Sequence, residues 1–198
     1  MNKVILFIID VCRTDALDIA STPYIDALTE RGSHTFSATT VTPPLTLPIH
    51  FSIFTSLKPM SHGIITNVAQ CCPPVAWRIM DLAKYNGKTT AAFHSWDQLH
   101  NLWRPRSADY ILCMNPGEDP EHDLNIAEAA RSYISLNQPD FCFIYLERTD
   151  KIGHEHGFMS DAYISEIEKT DRAVGIVQND FFTKFVTARK TVISIPIR

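Results

Sequence analysis

Two stretches of the chain have no polar face. VILFII at positions 4–9 and FCFIYL at 141–146 are continuous runs of β-branched, aliphatic and aromatic residues. Such a run is what a β-strand covered on both sides looks like. TTAAFHS, DYILCM and KTVISI read as further strands. Helical patterns fall between them. STPYIDALTERG has Thr22 as a cap, Pro23 at the first helical position, Ile25, Leu28 and Thr29 at helical spacing, and Gly32 as its end. TLPIHFSIFTSL opens with Thr46 as a cap and Pro48 in its first turn. AWRIMDLAKYNG closes on Asn86-Gly87, and DLNIAEAARSYISLN has apolar residues at Ile126, Ala129, Ala130, Tyr133 and Ile134. On SDAYISEIEKTDRAVGIV, Tyr163, Ile167, Thr170, Val174 and Val177 share one face. RPRSADYILCMNPGEDPEHD reads as surface loop around a short strand.

Strands that alternate with helices predict an α/β fold. The expected architecture is a three-layer sandwich with a mainly parallel central sheet and right-handed crossovers. At 198 residues, 45% of them hydrophobic, the chain is long enough to bury one such core, so residues 1–198 are expected to form a single domain. The net charge of -4 argues against sequence-independent binding to nucleic acid. The apolar segment at residues 4–9 is too short to span a membrane, and Asp10 follows at once without a small-residue cleavage site. No membrane partner is expected. The five cysteines, Cys12, Cys71, Cys72, Cys113 and Cys142, include no CxxC. Cys113 and Cys142 lie in apolar strand-like runs, where cysteine behaves as a small hydrophobe. This usage predicts a reduced, cytoplasmic chain, with the Cys71-Cys72 pair as the candidate for redox activity.

In parallel α/β sheets ligands bind beyond the carboxyl ends of the strands. Asp10 follows the first strand, and RTDKIGHEHG, with Asp150, His154 and His156, follows FCFIYLE. Carboxylate and imidazole groups converging on one sheet edge suit zinc, manganese or magnesium. Asp150 and His154 stand four apart around a glycine, which reads as a polar loop rather than a plain helix face; His156 reads as a bystander. Thr46 has two readings. A helix N-terminus favours a threonine cap, and the same free N–H groups and positive dipole end stabilise a phosphoryl or sulfuryl group in transfer. A threonine hydroxyl is a weak nucleophile unless a base or metal activates it, and Asp10 is the neighbour that bears on this.

The segments VILFIIDVCRTDAL, TPYIDALTERG, TPPLTLPIHFSIFTSLKPMSHGI and FIYLERTDKIGHEHG, in this order, resemble the alkaline phosphatase superfamily over residues 3–177. The nearest branches are the type I phosphodiesterase/nucleotide pyrophosphatases and the sulfatases. The resemblance implies an alkaline-phosphatase-like fold and a metal-dependent hydrolase of phosphate esters. It implies Thr46 as the nucleophile that also touches a metal, Asp10 as a ligand of the same metal, and Asp150 and His154 as ligands of the other. Two divalent ions, zinc foremost and manganese or magnesium as alternatives, would sit about 4 Å apart. His62-Gly63 would be structural. Sulfatases carry a formylglycine made from Cys or Ser at the position of Thr46, so the sulfuric ester alternative is disfavoured. Ile49 stands where nucleotide pyrophosphatases carry an Asn, and His50 stands where sulfatases carry an Arg, which makes His50 a candidate substrate contact. The family also carries an Asp-His-Gly after a later strand, where this chain reads Pro196-Ile197-Arg198. The resemblance therefore implies the N-terminal portion of a longer domain, truncated at the C-terminus, with half of each metal site and with loss of activity as the third reading. An incomplete sheet would leave an unpaired edge, from which a homo-oligomer is expected.

Overall fold

In the computed structural model, which describes residues 3–68, 76–184 and 190–196, the two wholly apolar runs lie side by side. They form β1 (Lys3–Ile9) and β4 (Phe141–Leu146), parallel neighbours with Val4 opposite Phe141 and Ile9 opposite Leu146. β2 (Thr90–His94) flanks β4, and β3 (Tyr110–Cys113) flanks β2. β5 (Lys190–Pro196) pairs with the other side of β1. Among the described residues the sheet has five strands in the order β3-β2-β4-β1-β5, every pair parallel.

The helices are α1 (Thr14–Leu17), α2 (Pro23–Arg31), α3 (Thr46–Thr55), α4 (Pro59–His62), α5 (Ile79–Tyr85), α6 (His122–Asn137), α7 (Arg148–His156) and α8 (Asp161–Lys184). A 3-10 turn, Asp97–Leu102, follows β2. Side-chain alternation along the strands sorts these helices onto two faces. Ile5, Phe7 and Ile9, with Cys142, Ile144 and Leu146, meet Ile126, Ala130 and Ile134 of α6 and Tyr163, Ile167, Val174 and Val177 of α8. Leu6, Ile8, Phe143 and Tyr145 meet Leu47, Phe51 and Phe54 of α3, Met80 of α5, and Leu99 and Leu102 of the 3-10 turn. The expected three layers are therefore present, and both central strands are covered on each side.

Three helix starts differ from the sequence expectation. Thr46 is the first helical residue of α3, and extended Leu45 takes the cap position without a side-chain hydrogen bond. RTDKIGHEHG is helical from Arg148 to His156 rather than a loop, which sets Asp150 and His154 one turn apart. The cap of α2 also comes from elsewhere. The Asp171 carboxylate of α8 accepts from the backbone N–H of Tyr24 (3.3 Å) and of Ile25 (2.8 Å), while the Thr22 hydroxyl donates to Asp26 Oδ1 at 3.0 Å. The Cys71-Cys72 pair and the tail residues Ile197 and Arg198 lie outside the described residues. Among the described residues no helix is long and apolar enough to cross a membrane.

Candidate active site

Asp10 stands directly after β1 and is 2% exposed. Its backbone carbonyl accepts a hydrogen bond from the Thr149 hydroxyl. Its Oδ2 accepts one from the Tyr145 hydroxyl and one from the Thr46 hydroxyl, the latter at 3.3 Å. Oδ1 is buried and has no hydrogen-bond partner among the described residues. Burial raises the Asp10 carboxyl above its ordinary range, against the pull of Tyr145 and Thr46. The next residue, Val11, has φ 47, a left-handed conformation unusual for a β-branched side chain. Tyr163 of α8 holds that turn. Its hydroxyl donates to Val11 O at 2.6 Å and accepts from Arg13 N at 3.1 Å. A cavity of about 230 Å³ opens beside it, lined by Val11, Arg13, Asp15 and Phe158.

Thr46 enters from the opposite face of the sheet, at the N-terminus of α3. The first turn of a helix has unpaired N–H groups and the positive end of the dipole. One of those groups, Leu47 N, donates to Asn67 Oδ1 at 2.9 Å, so the Asn67 amide is held next to the threonine. His50 lies one turn on and is fully buried. Its Nδ1 is 2.7 Å from Thr46 O, and its ring meets Tyr145 edge-on at 5.2 Å. Burial lowers its pKa to about 4, so it is neutral at pH 7. His50 thus lies buried beneath Thr46, with its Nε2 also buried and without a hydrogen-bond partner among the described residues. His62 is likewise internal: its Nε2 is 3.0 Å from Ser52 Oγ and its Nδ1 accepts from Ile64 N at 3.1 Å.

Asp150 and His154 lie on α7, with Asp150 Oδ1 3.3 Å from His154 Nε2. Fully buried Asp123 of α6 fixes the start of α7 by accepting from Glu147 N (3.3 Å) and Arg148 N (3.1 Å). Burial raises Asp150, and the Asp10 charge adds to that effect. Glu147, half-buried at the head of α7, is raised in the same way by burial and by Asp10 and Asp150. Carboxylates that raise one another's pKa, beside a buried oxygen with no donor, are groups that a nearby cation would stabilise. Asp10, Thr46, Asp150 and His154 offer oxygen and imidazole donors of the kind divalent ions take.

The fold thus joins Asp10 to Thr46 and Asp150 to His154, and sets the two pairs within electrostatic reach. His156 is exposed at the end of α7 and is 4.0 Å from Glu155. Sequence reasoning did not single out Tyr145, Thr149, Asn67 or Glu147. A tyrosine near the carboxyl end of a buried strand was the one available signal, because a buried hydroxyl needs a partner.

Comparison with known proteins bears on the family and the fold. Residues 4–105 and 70–181 match the family described as type I phosphodiesterase / nucleotide pyrophosphatase. Mouse ectonucleotide pyrophosphatase/phosphodiesterase family member 1 is 27% identical over 188 residues, covering 79% of this chain and 19% of that protein. A venom phosphodiesterase of Crotalus durissus collilineatus is 28% identical over 203 residues, covering 89% of this chain and 23% of its own length. The chain therefore spans about a fifth of the length of the curated relatives it matches. The solved structure of an inactive murine ectonucleotide pyrophosphatase / phosphodiesterase 5 in complex with AMP superposes with a TM-score of 0.80. It is 20% identical and covers 98% of this chain and 56% of the other.

Proposed function

The chain belongs to the type I phosphodiesterase/nucleotide pyrophosphatase family, and on that premise we propose that its site hydrolyses phosphate esters with Thr46 as the nucleophile. One observation carries the reading. The Thr46 hydroxyl points its proton at Asp10 Oδ2, 3.3 Å away, from the first turn of a helix. That arrangement aims the oxygen lone pairs away from Asp10 and toward a bound phosphoryl group. Divalent cations held by Asp10, Thr46, Asp150 and His154 would supply the lowered hydroxyl pKa and the charge neutralisation that phosphoryl transfer requires.

The chain's own groups do the rest. Thr46 Oγ1 forms the bond to phosphorus as the ester oxygen leaves in line, giving a phosphothreonine; its hydroxyl proton passes toward Asp10. The N–H groups of the first turn of α3, and the Asn67 NH2 whose Oδ1 is held by Leu47 N, would stabilise the negative charge that grows on the phosphoryl oxygens. Tyr145 keeps Asp10 in place from below, and α7 holds Asp150 and His154 against the same edge. Water then cleaves the phosphothreonine. The AMP bound to the murine relative makes nucleotide-type esters the first substrates to try.

Purified protein supplied with zinc or manganese is expected to cleave bis-p-nitrophenyl phosphate or p-nitrophenyl phosphate, and to leave p-nitrophenyl sulfate intact. Thr46→Ala should lower the rate by at least about 10³-fold. Activity that survives Thr46→Ala removes the mechanism. No turnover of any phosphate ester, with metal bound, supports an inactive fragment instead.

A further inference from the structure

Among the described residues, three metal-ligating side chains converge at the ends of β2 and β3, across β4 from the strand that Asp10 follows and within electrostatic reach of His50 and Glu147. There one ligand atom each of His94, His100 and Cys113 lie within 4.8 Å of one another. We infer that these three side chains form a second kind of metal site, one that takes zinc. The sheet itself sets up the pair at its base. His94 is the last residue of β2, Cys113 the last of β3, and the two are register partners. His100 comes over them from the 3-10 turn, its ring centroid 4.7 Å from that of His94.

The decisive group is His94. It is fully buried, and its Nδ1 lies 3.1 Å from Trp96 O. A carbonyl can only accept, so Nδ1 carries the proton and Nε2 carries the lone pair. Nε2 is buried and has no hydrogen-bond partner among the described residues. A histidine that donates from one ring nitrogen to a backbone carbonyl and leaves the other bare is oriented as metal-bound histidines are. Burial, followed by the nearness of His100, lowers its pKa to about 4, so the ring is neutral and able to ligate at pH 7.

The donor set selects the ion. Two imidazoles and a thiol suit zinc or a similarly borderline-soft ion, whereas magnesium and manganese prefer the oxygen-rich group around Asp10. Zinc bonds of about 2.0–2.3 Å would bring tetrahedral ligands to about 3.3–3.6 Å apart, a contraction of about 1 Å that the exposed His100 side chain can supply. Asp97 Oδ1, 3.4 Å from Cys113 Sγ, is the nearest candidate for a fourth ligand. Burial and the Asp97 carboxylate push the Cys113 thiol up to about 11, so metal binding must release its proton. As an aromatic cluster alone, with Trp103 5.2 Å from His94, the group would need neither a thiol nor a bare ring nitrogen.

The full chain, freed of metal with chelator, should be titrated with cobalt(II) and read in the near ultraviolet, where thiolate ligation gives a sulfur-to-metal charge-transfer band. The band is expected, together with displacement of cobalt by zinc. Cys113→Ser should abolish it. His100→Gln, at an exposed position where folding is not at stake, should weaken zinc binding by more than the roughly 10–100-fold that loss of a supporting partner costs. The band should persist in Asp10→Asn and in the Cys71→Ser/Cys72→Ser double variant. No band, a band that survives Cys113→Ser, or one lost with Cys71 and Cys72 would each overturn the site.

Discussion

Asp10 uses one carboxylate oxygen twice and the other not at all. Its proton affinity is raised by burial from an ordinary value of 3.8, so the metal-free fold holds that proton more tightly than the unfolded chain does. The stability this gives is complete below pH 3.8 and is lost as pH rises through the folded value. In chelator, the melting temperature of the native chain should therefore fall relative to that of Asp10→Asn as pH climbs from 4 to 7 in a thermal series. A divalent cation at 100 times its Kd should add about 2.7 kcal/mol to the native chain, and little of that should remain in Asp10→Asn. Parallel pH curves for the two proteins would contradict the buried-charge account. Asp10 was legible because it directly follows an apolar run, and Thr46 because Pro48 marks a helix start. Tyr145 and Thr149 were not, since their partner Asp10 lies more than 130 residues away in sequence. The apolar neighbours of Cys113 read as a buried strand, and its register partnership with His94 is a matter of strand pairing that no local pattern records.

α7 shows how a helix can be hidden by its own glycine. Gly153 between Asp150 and His154 suggested a loop, yet it lies mid-helix because the Phe158 ring closes over it. A Cβ there would collide with the Phe158 ring. Phe158 in turn meets His154 edge-on at 5.3 Å and Tyr163 at 5.6 Å. Gly153→Ala should thus displace Phe158 and lower metal affinity about 10-fold by calorimetry, while far-ultraviolet circular dichroism stays unchanged, alanine being the better helix former. An unaltered Kd would mean that Phe158 does not position His154. The strands and the longer helices were readable from their periods, whereas α7 and the short helices α1 and α4 were not. The boundaries were less so: α2 and α7 are started by Asp171 and Asp123, carboxylates from other helices, which no local pattern records.

Across the whole molecule, two apolar runs sufficed to announce a parallel, doubly covered sheet, but the strand order could not be read. β1 lies beside β4, although more than 130 residues separate their register partners, because pairing is decided by which helices can cover each face. That order sets Asp10, just after β1, beside Tyr145 of the adjacent β4, the two strands flanked by β5 and β2, whereas Thr46 comes from a helix reached through the mostly exposed segment 32–45. The two halves of the site therefore sit at different depths of the folding hierarchy. Amide hydrogen exchange should divide them. The amides of β1 and β4 should exchange only through global opening, with full sensitivity to denaturant, and those at the start of α3 through a smaller opening that denaturant barely affects. If so, Thr46 can part from Asp10 and return while the sheet that carries Asp10 remains intact.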